Sequence, residues 1–194
     1  MSKYIPSIVV GFLVALAVSF GLAFFFSSLG ARSGFLPIMA GAVFGVFTAY
    51  IMANLVGTKR GRAATAEQKQ AALDFRPDAD KALLIVYREG FVGKAAGLDL
   101  SLDDRFVAQL KSPRFTAVSV APGGHQLSMA FGGLAGKQNK PTLEGFIAAP
   151  GEVIAFRATM QMGMTKNRIV VDRITTDQDL VQRLKPMIMI APEV

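Results

Sequence analysis

The sequence predicts an α-helical membrane hairpin of two transmembrane helices, followed by a small all-β sandwich domain with a short C-terminal helix. Three observations predict it. Ile5 to Leu29 and Leu36 to Val56 are uncharged apolar stretches. All 14 acidic residues lie at Glu67 or beyond. From Ala82 onward the apolar residues come in short runs separated by turn signals, the pattern of a compact β fold. The expected organisation is a transmembrane hairpin over residues 1–57, a basic juxtamembrane linker with a short helix over 58–80, and a β-sandwich over 81–194.

About 20 residues cross the hydrocarbon of a bilayer at 1.5 Å rise per residue, so either apolar stretch is long enough. Pro6 and Pro37 sit near the start of each, where a missing N–H costs nothing. Gly30-Ala31-Arg32-Ser33-Gly34 suits a tight connection. The first apolar core is longer than a signal-peptide core, so an uncleaved anchor is expected. Lys3, Lys59, Arg60 and Arg62 flank the outer ends of the spans against Arg32 alone between them. Cations stay on the cytoplasmic side, so both termini are expected in the cytoplasm. Lys59, Arg60 and Arg62 are the candidate membrane-surface residues, placed to meet anionic headgroups of the lipid bilayer.

Small residues recur every fourth position within the spans: Gly11, Ala15, Ser19, Ala23 and Ser27 in the first, Gly41, Gly45, Ala49 and Ala53 in the second. Such stripes let helix backbones approach closely in lipid. Either the two stripes face each other within the hairpin, or one docks onto an integral membrane protein partner or a second copy.

The net charge of +7 does not indicate nucleic acid. From Ala63 to the end there are 16 Lys and Arg against 14 Asp and Glu, a balance of only +2. The excess sits beside the apolar spans, whereas a nucleic-acid binder carries it on the folded domain.

Beyond the spans, Thr65-Ala-Glu-Gln68 has the form of a capping box, opening a helix from Ala66 to Phe75 that Pro77 and the Asp78/Asp80 pair stop. This helix is expected as a spacer leading away from the membrane. Ala82 to Tyr87 is an apolar run suited to a strand buried on both faces. Leu98 to Leu102 and Arg105 to Leu110 read as a hairpin around Asp103-Asp104. Phe115 to Val120, the Ala121-Pro122-Gly123-Gly124 turn and His125 to Phe131 suggest an antiparallel return. Leu143 to Ala149 and Val153 to Met160, around Pro150-Gly151, read as another hairpin. Arg168 to Asp172 is expected as the last clear strand, and Asp177 to Leu184 as a closing helix capped by Thr176 and ended by Pro186.

Ala82-x-x-x-Val86-Tyr87-Arg88, Phe91-x-Gly93, the Asp103/Asp104 turn, Leu110 and Val118-x-Val120-x-Pro122-Gly123-x-His125 occur in that order. Over roughly Lys81 to Lys185 this resembles a bacterial domain-of-unknown-function family of lipoproteins and membrane-anchored proteins. Its Pro-Gly-x-His turn is similar to that of PEGA domains and other transthyretin-like sandwiches. The resemblance implies a sandwich scaffold without an established activity. Two departures stand out: the chain lacks the lipoprotein cysteine, and its cation bias places the domain inside.

No catalytic constellation is legible. There is no cysteine, so disulfides, thiolate nucleophiles and Cys-based metal sites are excluded. His125, the only histidine, has no nucleophile motif beside it and is expected to brace its turn. Gly57-Thr-Lys-Arg-Gly61 lacks the spacing of a phosphate loop. Asp99, Asp103, Asp104 and Asp172 fit turns and solvated faces better than an acid cluster. No cofactor and no metal are expected. Tyr87, Arg88 and Phe91, with the following Gly93, form the candidate recognition loop, the competing account being a bend that packs Phe91 over the sandwich edge. Met160, Met162, Met164 and Met187 to Ile190 suit either an adaptable contact surface or core filling. The expectation is a non-catalytic accessory or assembly subunit of a larger membrane complex; the alternative is a membrane-tethered ligand- or lipid-binding sensor.

Overall fold

The computed structural model describes residues 4–55, 61–94, 96–132, 140–161 and 168–193. The chain divides into two compact units, Met1–Val56 and Gly57–Val194.

The first unit is a pair of helices, α1 (Ile5–Ser28) and α2 (Leu36–Leu55). Both are long and apolar enough to cross a membrane, by length and composition. Their contact surface is built from absent side chains. A Cβ added at Gly11 would come within 2.6 Å of the Ala49 Cβ and the Gly45 carbonyl, and one at Gly45 equally close to the Ala15 Cβ and the Gly11 carbonyl. A Cβ at Gly41 would collide with Ser19 and the Ala15 carbonyl. Over this stretch the two stripes therefore face each other within the hairpin. The first stripe does not hold along its length, because Ala23 and Ser27 are exposed. A four-residue step overshoots the helical turn by about 40°, so the stripe rotates out of the contact within a few steps. Val14, Val18, Leu22 and Phe26, half-buried, continue the face instead. On α2, Ala49 is half-buried and Ala53 buried.

The second unit contains α3 (Ala66–Leu73), then β1 (Ala82–Arg88), β2 (Leu98–Leu102), β3 (Arg105–Leu110), β4 (Arg114–Val120), β5 (Gly123–Phe131), β6 (Thr142–Ala148), β7 (Val153–Gln161), β8 (Arg168–Ile174), α4 (Gln178–Leu184) and β9 (Ile188–Met189). The strands form a five-stranded sheet, β8-β7-β1-β4-β9, and a four-stranded sheet, β3-β2-β5-β6. The first sheet is mixed: β1 runs antiparallel to β4 but parallel to β7, and β9 runs parallel to β4.

Two expected hairpins are corners. At Pro122-Gly123 the chain leaves β4 in one sheet and enters β5 in the other, and at Pro150-Gly151 it crosses back from β6 to β7. β4 already has β1 on one side and β9 on the other, so β5 cannot return along it. Instead β5 pairs with β6 and β2. The β2–β3 hairpin is as its turn chemistry suggests. Asp103 and Asp104 both adopt positive φ, 50° and 63°, which matches the twist of the flanking strands.

Two apolar clusters result, and β1 feeds both. Ala82, Leu84 and Val86 enter the core between the sheets, with Leu98, Leu100, Met129 and Phe156. Leu83, Ile85 and Tyr87 point the other way, into a cluster with Phe115, Leu73, Leu180 and Leu184. This second cluster corrects the linker assignment. α3 is no spacer: Ala72 and Leu73 are buried against the sheet, and Lys69 Nζ donates to the Lys185 and Met187 carbonyls at 2.7 and 2.8 Å. Its Thr65–Gln68 capping box is formed in both directions. Residues 62–64 are already tied to the chain's end, with Ala64 N–H donating to the Met189 carbonyl and Ala191 N–H to that of Arg62.

The C-terminal segment is core. Met187, Met189 and Ile190 are buried and only Ile188 is exposed, so Met187 to Ile190 is not a contact surface. After β8 only the two-residue strand β9 follows. Asp177, not Thr176, caps α4, accepting from Leu180 N–H at 3.0 Å; the Thr176 hydroxyl lies 3.5 Å from the Val153 carbonyl. Met160 packs half-buried against the inter-sheet core, while Met162 and Met164 lie outside the described residues.

The glycine contacts in the hairpin set a test. Gly45→Val should destabilise the helix pair by about 1–3 kcal/mol through overpacking. Gly21→Val, where an added Cβ meets open space, should leave it unchanged. Thermal unfolding of the full chain in mild detergent, followed on the helical signal, compares the two.

Candidate functional site

The end of β1 organises the most distinctive surface feature. Arg88 is the strand's last residue and is only 1% exposed. Its Nη1 donates to the Ala96 carbonyl at 2.6 Å and the Leu110 carbonyl at 3.0 Å. Its Nη2 donates to the Gly93 carbonyl at 2.7 Å and lies 2.9 Å from Met160 Sδ. A guanidinium with several fixed donors is the side chain that can hold several carbonyls at once. Burial lowers its pKa to about 10, so it stays charged at neutral pH. From the other side, the Ser112 hydroxyl donates to the Gly90 carbonyl at 2.7 Å. Gly90 and Gly93 have φ of 102° and 62°, conformations open to glycine at little cost.

The segment after β1 is thus gripped at Gly90, Gly93 and Ala96, and between these grips Phe91 is 88% exposed. This corrects both earlier accounts of the loop. Tyr87 and Arg88 are buried and cannot be recognition residues on its surface. Phe91 does not pack over the sandwich edge; it projects into solvent. An aromatic side chain displayed from a clamped backbone can enter an apolar pocket of another molecule without first losing loop entropy.

The other sequence candidates are placed as follows. Gly11, Ala15, Ser19, Gly41, Gly45 and Ala49 meet inside the helix pair, while Ala23 and Ser27 lie outside it. Arg62 is exposed, and Lys59 and Arg60 lie outside the described residues. The four acids do not cluster. Asp99 accepts from Gln109, Asp103 from His125, and Asp172 from Arg157, while Asp104 is exposed in its turn.

His125 borders a recess of about 430 Å³ together with Asp103, Arg105 and Ser119. Both of its ring nitrogens are engaged by the chain. Its Nδ1 lies 2.6 Å from Asp103 Oδ2 and its Nε2 lies 2.7 Å from the Ala121 carbonyl. Both neighbours are acceptors, so this geometry favours the doubly protonated ring. The bond to Asp103 raises the ring's pKa above its ordinary 6.5, outweighing burial, and the Ala121 carbonyl adds to it. For Asp103, burial pushes upward, but the Gln126 N–H and the ring together hold the carboxyl below its ordinary 3.8. The ring also stacks at 5.5 Å on Phe146, joining the β2–β3 turn to β5 and β6. Among the described residues, no three His, Asp or Glu side chains are grouped to hold a metal ion.

Sequence reasoning missed the clamp because Arg88 adjoins Glu89-Gly90, which reads as a polar loop start. The signal lay in the run before it: a fully apolar strand ending in Arg, followed by two glycines.

No protein-family model matches the chain. Over 66 residues it is 33% identical to an uncharacterized protein of Haemophilus influenzae. That match covers 34% of this chain and 39% of the Haemophilus protein, so the chain spans well under half of that relative's length.

The imidazolium geometry fixes a pH dependence. The raised His125 pKa means its contribution is complete below pH 6.5 and lost as pH rises through the folded value. The depressed Asp103 pKa means its contribution is present above pH 3.8 and lost as pH falls through the folded value. Urea unfolding of wild type and His125→Asn should therefore differ most near about pH 5–6, and the gap should close as pH is raised.

Proposed function

We propose that the chain is a non-catalytic, membrane-anchored accessory or assembly subunit that acts through protein–protein contacts in a bacterial membrane complex. Phe91 carries this reading: it is the most exposed large apolar side chain of the β unit among the described residues, and it sits on a backbone clamped by Arg88. Membrane anchoring is supported by the outer surface of the helix pair. Phe12, Phe20, Phe24, Phe35, Val46 and Phe47 are each more than 60% exposed there, an apolar surface that water does not tolerate and lipid does. The locked His125 and the dispersed carboxylates favour a contact role over chemistry.

A photoactivatable aromatic in place of Phe91, irradiated in native membranes, should cross-link to an integral membrane protein or to a second copy. Phe91→Ala should abolish co-purification of that partner with the melting temperature unchanged. Arg88→Met should weaken the cross-link while Phe91 remains in place. A chain that cross-links to nothing and purifies as a lone monomer overturns the reading.

Orientation has its own test. With both termini cytoplasmic, a cysteine at Ser33 reacts with an impermeant thiol reagent applied outside the inner membrane, and one at Lys140 reacts only after permeabilisation. Labelling of Lys140→Cys from outside reverses the topology.

A further inference from the structure

On the outer face of the five-stranded sheet, Tyr87 of β1, Arg157 of β7, Arg173 of β8, and Asp179 and Arg183 of α4 surround a polar recess of about 290 Å³. Tyr87 is 1% exposed, yet no described residue hydrogen-bonds its hydroxyl. The ring is buried while Tyr87 lines the recess, so the hydroxyl is a donor that no described side chain or carbonyl engages. Burial, reinforced by the charge of Glu89, raises its pKa and keeps it protonated at neutral pH.

The charged groups around it are unevenly engaged. Arg157 is held by Asp172 at 2.9 Å and Glu89 at 3.4 Å. Arg173 gives one nitrogen to Glu152 at 2.8 Å. Asp177, also on the wall, caps α4. Arg183 approaches Glu89 only to 3.9 Å, beyond hydrogen-bond length, so its donors remain available. Asp179 makes no hydrogen bond or ion pair among the described residues. Among the described residues the recess therefore offers two donors that make no hydrogen bond to the chain, the Tyr87 hydroxyl and the Arg183 guanidinium (the latter loosely paired with Glu89), and one unpaired carboxylate.

A simple anion would face Asp177 and Asp179, and a simple cation would face the arginines. A molecule carrying both charges meets both sets. We propose that this recess binds a free α-amino acid, its carboxylate accepting from Tyr87 and Arg183 and its ammonium donating to Asp179. The volume lies at the small end of ligand sites, about 300 Å³, which suits a solute of that size and excludes a nucleotide. The assignment goes beyond the contact role proposed for Phe91 and stands without it.

The test is calorimetric titration of the full chain in mild detergent with each of the twenty protein amino acids, with acetate, methylamine and inorganic phosphate as single-charge probes. At least one amino acid should bind saturably, and acetate and methylamine about tenfold more weakly or not at all. Tyr87→Phe, which removes only the hydroxyl, and Arg183→Met should each weaken binding about tenfold with the unfolding transition retained. Asp179→Asn should weaken the amino acid and strengthen acetate. No binding by any amino acid up to about 10 mM, as when solvent alone serves the hydroxyl, overturns the proposal. So does binding that survives in Tyr87→Phe and Arg183→Met, or phosphate or acetate binding as tightly as the amino acid.

Discussion

Strand β1 buries all seven of its residues, and a strand with no face left for water must have a layer on each side. The β unit follows from that requirement. On one side the four-stranded sheet supplies the cover, closing the core around Leu84 and Val86. On the other, two short helices and the C-terminal tail must supply it, because no third sheet exists among the described residues. Burying a Leu, Ile or Val contributes about 1.5–3 kcal/mol, so both layers are strongly favoured. The same requirement brings the ends of the unit together. Phe115 and Thr116 in β4 hold Ile190 through a backbone bond and a hydroxyl bond of 2.8 Å each. Ile190 in turn bridges Ala63, so the segment entering the unit is fastened to the segment leaving it.

The helix pair obeys different physics. Under the proposed membrane reading, lipid tails are as apolar as Leu or Phe, and burying such side chains between helices gains little. Close approach is what remains, and Gly11, Gly41 and Gly45 provide it. The glycines are buried where contact is closest, and the phenylalanines are mostly turned outward. This is the reverse of the β unit, where large side chains are inside. One chain thus uses two opposite burial rules on either side of residue 57.

What the sequence disclosed and what it hid divide along the range of the responsible interaction. The capping box at Thr65–Gln68 and the Asp103-Asp104 hairpin are decided within a few residues, and both were legible. The burial of β1 on both faces was legible from its unbroken apolar run. The corners at Pro122 and Pro150 were not, because a Pro-Gly turn reads the same whether the next strand pairs with the last or crosses to another sheet. Only the occupancy of both β4 edges decides it, and one of those edges is filled by β9, some seventy residues later. The short Met-rich tail was ambiguous for the same reason: its burial depends on a sheet face it does not adjoin in sequence. Ala23 and Ser27 failed differently. Four-residue spacing looks like a continuous face on paper, but a turn of 3.6 residues carries it away from the contact.

At the candidate sites, the hidden variable was the pleat. Neighbouring residues of a strand point to opposite faces, so Tyr87 and Arg88 cannot serve one loop together. Tyr87 goes outward, into the layer capped by α4. Arg88 goes the other way, where it reaches the carbonyls of Gly93, Ala96 and Leu110. Glu89 follows, joining Arg157 and Arg183 on the recess side while its own N–H donates to the Ala158 carbonyl. Three consecutive residues therefore belong to two structures that share a rigid strand: a clamp presenting Phe91, and the wall of a polar recess.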